Sequence, residues 1–448
     1  MSEAPRRQVL ILGAGLVARP IVRYFLGLDR CRLTVASLSR EDAQALVEKH
    51  PRGTARQVDV TDASQCEPLI RESDLVVSLV PYAFHVQVAR VALRHRVNML
   101  TTSYAVPEMR ALDGEARAAG VTILNEVGLD PGLDHMSAMR MIDAVKASGG
   151  TVVEFASCCG GLPSPDAADN PWKYKFSWSP RGALLAGRLS ARYLERGRVV
   201  SVPADRLFAH HRPYEVEELG RFEAYPNRDS LRYIEAYGLH GIESMLRGTI
   251  RYPGWSETMQ AVADLGLLDL TARKWPHGSS YADFLSHFVA GGSDGLGTRL
   301  ARRLGIERDH PIVRRLEWAG LLDDDPLPEI EASPLDILAV RFQQRMAYGD
   351  GERDMVLLRH ELLARWPDRP AERQVSLLAA YGESGGDSAT ARTVSLPAAV
   401  AGRLLLEGRL PGAGIRIPTE REVYLPVLRA LEEMGIGFKE WREEVEGE

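Results

Sequence analysis

The sequence predicts an α/β protein: a doubly wound parallel sheet at the N-terminal end, a second α+β domain, and a helical insertion within that domain. Three observations carry the prediction. The apolar run Val9-Leu10-Ile11-Leu12 passes straight into Gly13-Ala14-Gly15 and a helical segment containing Ala18, a G-x-G-x-x-A pattern set between strand and helix. Short apolar strands then alternate with helical segments as far as Asn125, the rhythm of βαβ units. At 448 residues the chain is also too long for one compact core, so two or three domains are expected.

The first turn sets the pattern. Its first glycine permits the tight turn, its second lets the backbone approach a pyrophosphate, and the small Ala18 lets helix and strand pack closely. The helix N-terminus offers unpaired N–H groups and a partial positive charge to phosphates. Arg19–Leu28 then reads as a helix, Leu33–Ser37 as a second strand, and Arg40–Lys49 as a helix with Ala43, Leu46 and Val47 on one face. A third strand ends near Asp59-Val60, and a helix follows over Gln65–Arg71. Leu75–Val80 is a strand stopped by Pro81, Phe84–Arg94 a helix, Asn98–Thr102 a strand, Pro107–Ala119 a helix, and Val121–Asn125 a sixth strand. The glycine turn thus stands where a Rossmann-type dinucleotide fold requires it.

The end of the second strand discriminates between dinucleotides. An acidic residue about 20 residues after the turn would bind the ribose 2′-OH of NAD. Here the residues are Ser37, Leu38, Ser39 and Arg40, two hydroxyls and a guanidinium with no carboxylate, which favours the 2′-phosphate of NADP. Ser39 also suits the N-cap of the next helix, with Asp42 at its third position.

Composition narrows the class. Hydrophobic residues make up 45% of the chain, enough for a sizeable core, and no apolar run reaches the length of a membrane span. The N-terminal MSEAPRRQ leads into an apolar strand too short for a signal-peptide core, so a cytoplasmic protein is expected. A net charge of -6 argues against nucleic acid as principal partner. Cys31, Cys66, Cys158 and Cys159 have no C-x-x-C spacing and suit a reducing compartment.

In open parallel sheets ligands sit beyond the carboxyl ends of the strands, which draws attention to Ser78-Leu79-Val80-Pro81-Tyr82, Thr101-Thr102-Ser103-Tyr104 and Asn125–Gly132 (NEVGLDPG). Downstream come CCGGLPSP from Cys158, DNPWKYKFSWSPRG from Asp169, AYPNRDS from Ala224, RGTIRYPG from Arg247 and TVSLPAA from Thr393. Together with ILGAGLVA, SLVPY, TTSY and NEVGLDPGLDH, these segments resemble the saccharopine reductase family, the NADP-dependent, L-glutamate-forming saccharopine dehydrogenases. The resemblance runs over essentially the whole chain.

Members of that family oxidise the secondary amine of saccharopine with a pyridine nucleotide, and water hydrolyses the imine to L-glutamate and 2-aminoadipate 6-semialdehyde; the reaction is reversible and belongs to lysine metabolism. The resemblance implies this activity without a metal. For the cofactor, NADP with NAD open, it implies contacts from Gly13, Gly15, Leu16 and Val17, from Ser37, Leu38, Ser39 and Arg40, from Asp59, Val60, Val80 and Pro81, and from Asp130, Pro131 and Ser179. Relatives commonly carry an arginine where this chain has Leu38, and Arg40 is the nearby substitute. For the substrate it implies Ser103, Tyr104, Asp130, Arg228, Thr249, Ile250 and Arg251, arginine being suited to carboxylates by its planar charged fork. Tyr104, Asp130 and Cys159 are the candidates for proton chemistry, although Cys159 also suits the lining of a pocket. His135 has only proximity to recommend it.

The domains are expected at 1–130 with about 423–448 for the nucleotide, and at 131–256 with about 345–422 for the substrate, meeting at a cleft. The helical insertion is expected at 257–344. Asp354–Trp366 and Gln374–Tyr381 read as a hairpin around Pro367–Pro370. Arg299 with Arg302-Arg303, and Asp323–Asp325, read as solvated surface. A homodimer is implied by the resemblance; neither a membrane nor a nucleic-acid partner is expected. A carboxynorspermidine-type dehydrogenase of polyamine synthesis and a non-catalytic NAD(P)-sensing protein are the alternatives.

Overall fold

The computed structural model describes residues 7–328, 331–410 and 412–445. The reading of a leader rests mainly on residues 1–6, which lie outside the described residues. Two compact units emerge, Met1–Thr151 with Gly386–Trp441, and Val152–Gly385 with Arg442–Glu448.

The first unit is the doubly wound sheet. Its strands β1 (Arg7–Leu12), β2 (Cys31–Ser37), β3 (Gly53–Gln57), β4 (Leu75–Ser78), β5 (Asn98–Thr101) and β6 (Thr122–Leu124) all pair in parallel. A further strand, Gly414–Arg416, adds in parallel beyond β6. From that edge the order is Gly414–Arg416, β6, β5, β4, β1, β2, β3, so the direction of winding reverses between β1 and β4. Val9 to Leu12 are all buried, as expected of a central strand covered on both faces. The helices α1 (Ala18–Leu26), α2 (Arg40–Val47), α3 (Ala63–Arg71) and α4 (His85–Arg94) provide part of that cover. Phe25 of α1 is fully buried, and truncating it to alanine would cost about 3–5 kcal/mol.

The unit boundaries differ from those expected. Leu133–Ala147 belongs to the first unit, because Tyr424 donates to Asp143 at 2.5 Å and Arg140 pairs with Glu432 at 2.7 Å, tying that helix to Arg421–Glu433. The return begins at Gly386 rather than near Val423, because helix Ala389–Leu406 packs within this unit. Gly402 makes the approach possible, since a Cβ there would sit 3.0 Å from both Leu75 and Phe25. Smaller differences are local. The third strand ends at Gln57, and Asp59 forms a turn by accepting from the Thr61 N–H at 2.8 Å. The expected helix over Pro107–Ala119 is two, Pro107–Arg110 and Asp113–Ala119.

The second unit centres on a mixed sheet of nine strands among the described residues. Strands β7 (Thr151–Pro163), β8 (Ala191–Glu195), β9 (Arg198–Val202), β10 (Arg212–Val216), β11 (Gly220–Pro226) and β12 (Ser244–Arg251) are followed by the hairpin Asp354–Arg365 and Ala371–Tyr381. The order runs β10, β11, β12, β7, the two hairpin strands and Lys439–Val445, with β8 and β9 attached at β12. The first hairpin strand alternates less than its sequence suggests: Met355, Val356, Leu357 and Leu358 are all buried, so both of its faces are covered there. Between β12 and the hairpin lie the expected helices, beginning at Trp255. Asp323 and Asp325 are more than solvated charges, since they pair with the buried Arg341 guanidinium at 2.6 and 2.9 Å.

Candidate active site

The predicted residues fall into two sets, one in each unit. In the first, Gly13 has φ +107°, and a Cβ there would lie 2.8 Å from the Leu79 carbonyl oxygen, so the turn needs glycine both for its backbone and for its contact with the loop after β4. At Gly15 a Cβ would meet nothing within 4 Å. The two glycines therefore do different things: one lets the fold close, the other keeps ground open at the start of α1. Val17 occupies the N-cap of α1 and supplies no side-chain cap, so the first turn keeps N–H groups for a phosphate. The Ser395 hydroxyl donates to the Val17 carbonyl and ties this turn to helix Ala389–Leu406. Around it, Leu16, Leu38 and Tyr82 are 63, 66 and 66% exposed, large apolar side chains on the loops after β1, β2 and β4. Neighbouring strands thus carry uncovered apolar groups, as suits the flat rings of a dinucleotide.

The loop after β2 fits a 2′-phosphate. Arg40 is exposed and makes no ion pair among the described residues, while Ser37 is half-buried beside it in sequence. Ser39 caps α2 by accepting from the Asp42 N–H at 3.1 Å, so its side chain has a structural duty. Asp59, beyond β3, has its carboxyl held below the usual range, chiefly by the Thr61 hydroxyl, which donates at 2.7 Å. Val60 follows it, and Val80 and Pro81 follow β4. Ser37, Leu38, Ser39 and Arg40, where NAD-binding loops carry the acidic residue for the ribose hydroxyls, include no carboxylate.

The loops after β5 and β6 come together. Tyr104 donates its hydroxyl to Asp130 Oδ1 at 2.8 Å, joining two residues of the proton-chemistry set. Beneath them lies a buried polar cluster. Glu126 accepts from the Ala105 N–H at 3.0 Å and meets His135 Nε2 at 2.8 Å, while Asp134 accepts from the Gly132 N–H at 2.5 Å. His135 thus belongs to the support of the two loops, with no exposure of its own. Glu126 is the residue that sequence reasoning passed over; its place inside NEVGLDPG was its only signal. Pro131 follows Asp130 through a cis peptide bond.

In the second unit the register of three strands builds the other set. Thr249 of β12 stands beside Cys159 of β7 and Tyr225 of β11. A Cβ at Gly160 would lie 2.5 Å from the Ile250 carbonyl oxygen, so β7 and β12 press together at this rung. Side chains alternate along a strand, which puts Cys159, Thr249, Tyr225 and Arg251 on one face and Ile250 on the other. Burial pushes the Tyr225 phenol pKa up.

Arg251 is buried. Its guanidinium lies 5.1 Å from the centre of the Tyr174 ring and 5.6 Å from that of Trp255, donates to the Ile250 carbonyl at 2.7 Å, and has a buried Nε with no hydrogen-bond partner among the described residues. No carboxylate lies within 4.0 Å of it among those residues. Glu223, its buried register partner on β11, adds an attractive charge, although its carboxylate accepts from the Gly254 and Ser256 N–H groups; with the aromatic faces it compensates the guanidinium in part, which leaves room for an anion. Tyr174 and Trp255 were not singled out from sequence, because they reach Arg251 from separate segments. Arg228 is held at φ +56°, its carbonyl accepting from the Arg192 N–H at 2.9 Å. Asp229 pairs with Arg192 at 3.4 Å. Ser179 caps helix Pro180–Ala186, accepting from the Gly182 N–H at 3.2 Å.

All four cysteines are buried and none forms a disulfide, and no group of three or more histidine, cysteine or acidic side chains could hold a metal among the described residues. No helix there is long and apolar enough to cross a membrane.

Residues 9–124 match the family model for the saccharopine dehydrogenase NADP binding domain, and residues 128–436 that for the saccharopine dehydrogenase C-terminal domain. The chain is 37% identical to the NADP(+), L-glutamate-forming saccharopine dehydrogenase of Saccharomyces cerevisiae, over 97% of this chain and 99% of that protein. It is 36% identical to the mitochondrial alpha-aminoadipic semialdehyde synthase of Bos taurus, covering 98% of this chain but 48% of that longer protein. The solved structure of the apo, L-Glu-forming saccharopine dehydrogenase of S. cerevisiae superposes with a TM-score of 0.88 at 36% identity, over 98% of this chain and 100% of that one. With both family models matched in order and the likeness extending over the full length in sequence and in fold, the chain belongs to the saccharopine dehydrogenase family.

Proposed function

We propose that this protein oxidises saccharopine at its secondary amine with NADP, releasing L-glutamate and 2-aminoadipate 6-semialdehyde, and that it acts in lysine metabolism. The observation that carries the reading is Arg251, a buried guanidinium with no carboxylate partner among the described residues. Saccharopine carries three carboxylates, and a buried cation that forms no direct ion pair with its acidic neighbour Glu223 gains from an arriving anion. Arg251 takes one carboxylate, with Thr249 on the same face of the sheet; Arg228 takes another. Ile250 sets the backbone of that rung, and Cys159 lines it.

In the first unit Gly13, Gly15, Leu16 and Val17 hold the pyrophosphate, Arg40 and Ser37 the 2′-phosphate, and Val80 and Pro81 the ribose. Held there, NADP would supply a hydride acceptor for the carbon beside the amine. For that transfer the secondary amine must first lose its proton, and water must then add to the imine carbon. Tyr104 and Asp130, linked at 2.8 Å, take and return those protons, and Ser103 orients the substrate beside them. The reading includes a cytoplasmic homodimer, which the family resemblance suggests and sedimentation of the purified protein tests.

Initial rates of nicotinamide reduction with saccharopine, supplying NADP or NAD, test the proposal. Saccharopine-dependent reduction that prefers NADP and yields glutamate is the expected result. Turnover of carboxynorspermidine with silence toward saccharopine would overturn it, as would nucleotide binding without turnover of either amine.

A further inference from the structure

Ser78 and Thr101, the last residues of β4 and β5, are register partners in adjacent parallel strands. His85, the first residue of α4, lays its imidazole across that rung. Nδ1 meets Ser78 Oγ at 2.8 Å, while Nε2 meets Ser103 Oγ at 2.9 Å and Thr101 Oγ1 at 3.2 Å. The ring is buried, whereas Ser103 is partly open at the head of the loop that continues into Tyr104. The Ser103 backbone is already fixed: its N–H donates to Thr101 Oγ1 at 3.3 Å, and its carbonyl accepts from the Glu126 N–H at 3.1 Å. The side-chain rotamer is the freedom that remains, and Nε2 removes it. A buried imidazole with an unmatched nitrogen would be costly, so an apolar residue would fill this place more cheaply unless both nitrogens were needed.

We propose that His85 is a positioning residue that locks the Ser103 hydroxyl in the orientation that meets the substrate. The inference rests on Ser103 being a substrate contact, and His85 itself touches no reacting atom. Burial lowers the imidazole pKa to about 4, so the ring is neutral at assay pH, with one nitrogen donating and the other accepting. It therefore satisfies one hydrogen-bonding position of Ser103 without adding charge beside the substrate.

Two amide variants separate the ends of the ring. A glutamine amide reaches the place of Nε2, beside Ser103, and an asparagine amide that of Nδ1, beside Ser78. Saccharopine and NADP kinetics are measured for His85→Gln, His85→Asn, Ser103→Ala and the His85→Asn/Ser103→Ala double variant, with melting curves for each. The expected result is a saccharopine KM raised about tenfold by His85→Asn, substantially rescued in His85→Gln, with NADP KM unchanged. The double variant should be no worse than Ser103→Ala. If His85→Asn fails to fold, Ser78→Ala, which frees the ring at Nδ1, should give the same selective rise. Equal losses in the Gln and Asn variants, a parallel rise in NADP KM, or additive losses in the double variant would overturn the proposal while leaving Ser103 a substrate contact. Turnover by Ser103→Ala with unchanged saccharopine kinetics would refute that contact and this inference with it.

Discussion

Tyr104 and Asp130, 26 residues apart and on loops leaving different strands, share a hydrogen bond of 2.8 Å. The phenol donates and the carboxylate accepts, and in the proposed mechanism the pair acts as one proton-handling group. Removing either member should impair the same step. Tyr104→Phe and Asp130→Asn are each expected to lower saccharopine kcat/KM by about 10- to 100-fold, and the double variant to fall short of the product of the two losses. Independent, multiplicative effects would show that the residues act separately.

The two glycines of the first turn should fail in different assays. Gly13→Ala forces a Cβ to 2.8 Å from the Leu79 carbonyl oxygen at a backbone φ of +107°, so it should lower the melting temperature. Gly15→Val adds its side chain where nothing lies within 4 Å, so it should leave melting unchanged while abolishing NADP binding. Thermal melting and nucleotide titration on the same samples distinguish these results. A Gly15 variant that binds NADP normally would contradict the assignment of the turn.

Legibility in the sequence followed the range of the interaction. Gly13 to Ala18 could be read because strand, turn and helix all lie within a few residues of one another, and the steric need of each glycine is local. The helix Ala389–Leu406 could not be assigned to the first unit, because Gly402 looks like any helical glycine until Leu75 and Phe25 are found against it. Ser39 could be read as the cap of α2 from Asp42 three residues on, whereas Ser179 looks like one more polar residue of a motif until the fold shows it capping a helix. Arg251 carried a motif match, but its lack of a direct ion pair among the described residues and the rings of Tyr174 and Trp255 are properties of assembled segments. His85 was hidden for the same reason, since its three hydroxyl partners come from β4, β5 and the loop beyond.

The environment of Arg251 separates stability from binding. Replacing a buried charge by an apolar side chain of similar length relieves its desolvation, as often happens when buried ions are exchanged for hydrophobic residues. Arg251→Met is therefore expected to melt at or above the parent temperature while the saccharopine KM rises by about 100-fold and that of NADP stays unchanged. Glutamate or saccharopine should raise the melting temperature of the parent but not of the variant. Destabilisation by Arg251→Met with no selective rise in saccharopine KM would make the guanidinium a structural group.

The pH dependence of folding offers a separate test of the His85 environment. Its imidazole pKa is lowered from 6.5 to about 4 by burial, with no charged neighbour among the causes. Above pH 6.5 the ring is neutral in both the folded and the unfolded chain, and its contribution to stability is fully retained. Between pH 6.5 and about 4 the unfolded chain takes up a proton that the folded chain refuses, so stability falls as the pH is lowered. The loss amounts to about 3 kcal/mol at the lower end and levels off below it, where both states are protonated. Denaturant unfolding of the parent and of His85→Gln between pH 7.5 and 4 should therefore give curves that converge on acidification, because the variant has no imidazole to charge at this position. Curves that stay parallel over the whole range would mean that His85 takes up a proton in the folded state at its ordinary pKa, and the neutral bridge between Ser78 and Ser103 would have to be abandoned.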